Sequence, residues 1–181
     1  MVIGKPTSTF KRLGQVLSLA LALLCAGLLY LYFSSRPPRE SKLVGNFYSR
    51  RAAYERLRDL LLADEQVRAI YARWGVETVE SGLPHAPGKM NFPVGRFNEY
   101  RMLLEQVHSE EVFRVEGSNR GICIAAWAAG FGGDTRHVDT CWMEQIPLNQ
   151  VARLDDFYKT PKPRHPVFRP IDSNWYLWAD W

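Results

Sequence analysis

A chain of 181 residues, 46% hydrophobic and 23% charged, holds enough apolar material for a folded core and too much for a disordered polymer. Its net charge of +4 suggests an anionic partner until the charges are located. Three of the 23 basic residues precede Leu13 and none of the 19 acidic ones does, so residues 34–181 carry 20 basic against 19 acidic groups and no field that would attract nucleic acid.

Residues 1–12 form a short basic tail with Lys5, Lys11 and Arg12. Residues 13–33 then read LGQVLSLALALLCAGLLYLYF, without a charge and with aromatics at the far end. About 20 helical residues cross a hydrocarbon core of roughly 30 Å, so this run is expected to be a transmembrane helix. A cleaved signal carries a shorter core of about 7–15 residues, and the small-x-small triplet Ala20-Leu21-Ala22 lies mid-run, where a cut is awkward. Cys25 follows Leu24, whereas a lipidated cysteine wants a small residue before it. Basic residues counted within about 15 positions favour an inside N-terminus; counted to about 20, with Arg50 and Arg51, the balance reverses. Lys11-Arg12 abutting the run is the signal-anchor arrangement, which places the C-terminal part outside the cytoplasm (in the periplasm if there is an outer membrane).

Residues 34–45 read as a polar tether stiffened by Pro37-Pro38, and residues 46–181 as one α+β domain of two to three helices packed on an antiparallel sheet. Phe47, Tyr54, Leu57 and Leu61 recur at helical spacing, so Asn46 to Ala63 is expected to be a helix. Asp64 can cap a second short helix that gathers Val67, Ile70 and Trp74 before Gly75, with a strand at Val76 to Val79. Ser81 to Pro93 is a loop on composition, and Arg96 to Val107 a further helix with Phe97, Tyr100, Leu103, Leu104 and Val107 inward. From Val112 the period changes to two. Val112 to Val115, Gly121 to Ala129 and Arg136 to Met143 read as strands, the second apolar on both faces. Leu148 to Tyr158 is expected to be a short helix and Pro161 to Pro170 a connector. Val167 to Ile171 and Trp175 to Ala179 then flank the turn Asp172-Ser173-Asn174.

Cys123 and Cys141 lie symmetrically about residue 132, inside Gly130-Phe-Gly-Gly-Asp134. A hairpin turning there puts the two sulfurs opposite each other, within reach of a disulfide and in keeping with an oxidising compartment. The alternative is two small buried thiols. His137, Asp139 and Cys141 alternate onto one strand face, the raw material of a thiol nucleophile, although same-face neighbours stand about 6–7 Å apart. His85, His108, His137 and His165 are scattered, with no CxxC or HxxxH spacing, so no metal or other cofactor is expected. The glycine-rich stretch is followed by a strand and lacks GK[ST], which argues for a turn and against a phosphate loop.

Three of the six tryptophans fall in Trp175-Tyr-Leu-Trp-Ala-Asp-Trp181. Alternation puts Tyr176 and Trp178 on the face opposite Trp175, Leu177 and Trp181. One face completes a core; Tyr176, Trp178 and Trp181 are the candidates for gripping a partner. The expected protein is thus single-pass and membrane-anchored, binding a protein at the cell envelope as an interaction, inhibitor or assembly module. The alternatives are an envelope enzyme using His137, Asp139 and Cys141, or a glycan-binding module using the last aromatic strand.

Overall fold

The computed structural model describes residues 15, 18–27, 29, 36–117, 120–129, 135–159 and 165–180. The chain divides into two units, residues 1–36 and 37–181. In the first, the described residues of the apolar run are helical, and Leu19, Leu21, Leu23, Leu24 and Leu29 are all exposed. Among the described residues no helix is long and apolar enough to cross a membrane. The basic tail and residues 13, 14, 16, 17, 28 and 30–33 of the expected span lie outside them.

The second unit opens with α1, Glu40–Ser49, which buries Leu43 and Phe47 at i, i+4. Six of the residues expected in the tether, 40–45, are therefore helical. The cause is Glu40, whose N–H donates to Asp155 Oδ1 at 2.9 Å and whose Oε2 accepts the Leu154 N–H at 2.6 Å. Its Oε1 stands 2.9 Å from Arg169 Nε. The chain bends at Arg50 (φ −128°, ψ 22°) into α2, Arg51–Ala63, so the one helix expected over 46–63 is parts of two.

Val67 and Ile70 do not continue as a helix. They belong to β1, Val67–Tyr71, which pairs antiparallel with β2, Gly75–Thr78. Asp64 starts no second helix: it is the C-cap of α2, its N–H donating to the Leu60 carbonyl, and its carboxylate accepts from Tyr100 Oη at 2.8 Å and Arg96 Nε at 3.0 Å. Five residues containing Val, Ile and Tyr suit a strand once a neighbour is there to pair with, and that neighbour lies far along the chain. Gly75, at φ +132°, lets the His85 carbonyl approach so closely that a Cβ would sit 2.0 Å from its oxygen.

A single 3₁₀ turn, Pro87–Lys89, interrupts the expected loop, and α3, Val94–Val107, follows it and ends at His108 in the left-handed conformation. Strands β3, Glu111–Val115, β4, Gly121–Ala129, and β5, Arg136–Met143, lie where the sequence pattern places them. The Gly130–Asp134 turn is outside the described residues. Helix α4 is only Leu154–Phe157, because residues 149–151 are drawn out along the sheet: Phe168 N–H donates to the Asn149 carbonyl and Val151 N–H to the Phe168 carbonyl, both at 2.9 Å. The hairpin β6, Val167–Asp172, and β7, Trp175–Asp180, closes the fold. Val167 to Ile171 is strand, as expected for an arm of this hairpin, so the connector expected over 161–170 ends before Val167.

The seven strands among the described residues form one antiparallel sheet in the order β2-β1-β3-β4-β5-β7-β6. Both edges are blunted against further pairing: β2 is bridged by His85, and β6 carries Pro170 and a bridge to Gln150. The helices cover one face. Phe47, Leu57, Leu61, Tyr100 and Leu104 meet Ile70, Val112, Ile122, Ile124 and Trp175 there, and Leu43, Leu154 and Phe157 meet Val138, Leu177 and Ala179. Arg114 on that face donates to the carbonyls of Val67, Leu61 and Asp64, which places a cation at the end of α2, where the helix dipole favours one.

Candidate functional site

On the opposite face of the sheet, the core among the described residues is made of strand residues alone. Cys123, Cys141, Met143, Phe168 and Tyr176 are buried there, with Phe113, Val115 and Trp178 partly so. The strand register explains the arrangement. One row across the sheet runs Ala69, Phe113, Cys123, Cys141, Tyr176, Pro170. Cys123 and Cys141 are directly opposed and disulfide-bonded, as the hairpin arithmetic predicts. These two small side chains leave room for rings to lean over them. The Trp178 ring stacks on Phe168 with centroids 6.1 Å apart and meets Phe113, from three strands away, at 6.5 Å.

The neighbouring row runs Tyr71, Glu111, Ala125, Asp139, Trp178, Phe168. Ala125 is the small residue that leaves two carboxylates facing each other across one strand. His137 Nδ1 donates to Asp139 Oδ2 at 2.7 Å, and His137 Nε2 lies 4.0 Å from Asp180 Oδ2. The imidazole packs edge-on against the Trp178 indole, centroids 4.9 Å apart. Tyr71 Oη donates to Glu77 Oε2 at 3.1 Å, and Arg68 stands 3.6 Å from the same carboxylate.

Burial and charge set the protonation states. Asp139 is 2% exposed, and loss of solvation pushes its pKa up, against the hydrogen bonds from His137 and from the Ala126 backbone at the β4 bulge. The pKa of His137 is raised, first by its hydrogen bond to Asp139 and then by the negative charges of Asp139, Asp180 and Glu111, with burial opposing. The His137 side chain is 27% exposed against 3% for Asp139, so positive charge on the ring costs less solvation than negative charge on the carboxylate. Glu111 is pushed up to about 7, chiefly by burial and then by the charge of Asp139. The Tyr71 hydroxyl is held well above its ordinary range by burial and by Glu111 and Glu77.

An imidazole steered by a buried carboxylate can accept and return a proton. The thiol reading needs Cys141 free, and Cys141 is bonded to Cys123, so Cys141 does not serve His137 and Asp139 as a nucleophile. Tyr176 is 4% exposed beneath this aromatic cluster and supports Phe168; Trp178 is half-buried and reaches the surface; Trp181 lies outside the described residues. Among the described residues no group of three or more His, Cys, Asp or Glu side chains is placed to hold a metal ion. Sequence reasoning missed Tyr71, Glu77 and Glu111. Strand alternation does signal Glu111, which shares a face with Phe113 and Val115.

Compared with known protein families, curated proteins and solved structures, the chain matches none.

Proposed function

We propose that this chain is a single-pass, membrane-tethered module whose α+β domain acts outside the cytoplasm by binding a protein partner. The observation that carries the binding role is the sheet face that no helix covers among the described residues. An antiparallel sheet with one face bare of helices ordinarily alternates to polar residues there. This one presents Phe113, Val115 and Trp178, half-buried, beside an imidazole and a cluster of carboxylates. An aromatic anchor flanked by polar groups is the composition of an interface hot spot. The blunted sheet edges argue against strand addition and leave this face as the means of contact.

The tether rests on the charge-free run at 13–33 and on its exposed leucines, which point to all sides of the helix as lipid contact requires. The disulfide suits an oxidising compartment and so the outward orientation.

Crosslinking pull-down from membranes tests the binding role. Trp178→Ala and, independently, Val115→Lys in the full chain should each cut recovery of the crosslinked partner at least tenfold. Unchanged recovery in both variants would overturn the proposal.

A further inference from the structure

On the helix-covered side, α1 and the end of α3 border a cleft of about 540 Å3 that belongs to neither the aromatic face nor the His137 pair. Its chemistry differs from the rest of the domain. Lys42, Arg50 and His108 line it, and no acidic side chain does. That segregation stands out in a region whose charges nearly cancel. Arg51, Arg56, Arg58, Arg73 and Arg96 each face a carboxylate within 3.0 Å. Among the described residues, no carboxylate pairs with Lys42 or Arg50.

Arg50 is nevertheless held in place. It donates to Asn46 Oδ1, to Ser49 Oγ at 3.2 Å and to His108 Nε2 at 2.8 Å. A guanidinium has no lone pair to offer, so His108 accepts through Nε2 and keeps its proton on Nδ1. Asn46 is fixed in turn by donating to Tyr54 Oη at 2.8 Å and to the Val107 carbonyl at 3.0 Å. Two of the five guanidinium N–H groups remain for a ligand. The cleft is kept open by small residues. Ala126 lies on one side, and a Cβ at Gly45 would meet nothing within 4 Å.

We propose that this cleft binds the phosphate of an anionic lipid headgroup. The proposal rests on the tethered reading for its source of anion: Pro38, which lines the cleft, follows Phe33 by five residues, a reach of at most about 17 Å. A fixed guanidinium with an ammonium beside it is the chemistry that recognises phosphate. Pro38, Leu43 and Val107 offer apolar wall for the carbon atoms next to it.

The test is titration of the full chain in dodecyl maltoside micelles with phosphatidylglycerol, with phosphatidylcholine and with inorganic phosphate, reading the His108 ring signals by NMR. Phosphatidylglycerol should shift them saturably and phosphatidylcholine should not, with inorganic phosphate acting at higher concentration. Lys42→Gln and Arg50→Gln should each weaken the response at least fivefold, and Arg51→Gln should leave it unchanged. Gly45→Leu removes no charge and improves helix propensity, yet it should abolish the response by filling the cleft. No shift with any anion, or shifts indifferent to these substitutions, would overturn the site. A response to inorganic phosphate alone would overturn the lipid source. A chain that keeps the phosphatidylglycerol response but fails to sediment with membranes would reject the tether and leave the cleft standing.

Discussion

Glu111 shows how one side chain can carry a domain's pH dependence. Its pKa in the folded domain stands near 7 against an ordinary 4.5, so the native state holds a proton that the unfolded chain releases. The stability this brings is complete below about pH 4.5 and is lost as the pH rises through 7. A shift of that size in a partly buried group amounts to about 1–3 kcal/mol after allowance for solvent screening. His137, also raised, adds a loss of the same sign on the alkaline side. Urea unfolding should therefore show the domain less stable at pH 8 than at pH 4.5, and Glu111→Gln should flatten most of that slope. A variant whose slope matches the native one would show that the Glu111 carboxyl is hydrated after all.

Helix α1 decides whether residues 40–45 are tether or domain. Leu43 is 7% exposed and packs with Val138, Leu154, Leu177 and Ala179, which come from two strands and α4. Glu40 fastens the same helix to α4 and β6. Truncation of a buried leucine costs about 2–5 kcal/mol, so Leu43→Ala should lower the unfolding midpoint by several degrees. A change under about 0.5 kcal/mol would return those residues to the linker. Periodicity at 46–63 is strong enough to announce helix but not to mark the bend at Arg50, which arises because α1 and α2 must both pack on one sheet. The apolar spacing of Val67 and Ile70 fits a helix and a strand equally until β3 is available to pair with it.

Taken together, the domain is closed by a bond between strands that a sequence separation of 18 residues brings into register. A loop of that length, when cross-linked, stabilises a fold by about 3 kcal/mol through the unfolded chain. Alkylation of the unfolded, unreduced protein should label one cysteine of three, Cys25, and reduction should expose all three with a matching loss of stability. Labelling of three without reductant would remove both the bond and the argument for an oxidising compartment.

What could be read from the chain directly is whatever repeats at short range. The apolar run, the two-residue alternation of β3, β5 and β7, the apolar stretch of β4, and the equal spacing of the cysteines about a glycine-rich turn are all of this kind. So was the sharing of a face by His137 and Asp139, since the strand pleat alone requires it. The insertion of β7 between β5 and β6 and the facing of Glu111 and Asp139 across Ala125 left no such trace. Nor did the convergence of Lys42, Arg50 and His108 on one cleft. Those juxtapositions join residues far apart in the chain, and they arise only when helices and strands compete to bury the same apolar surface.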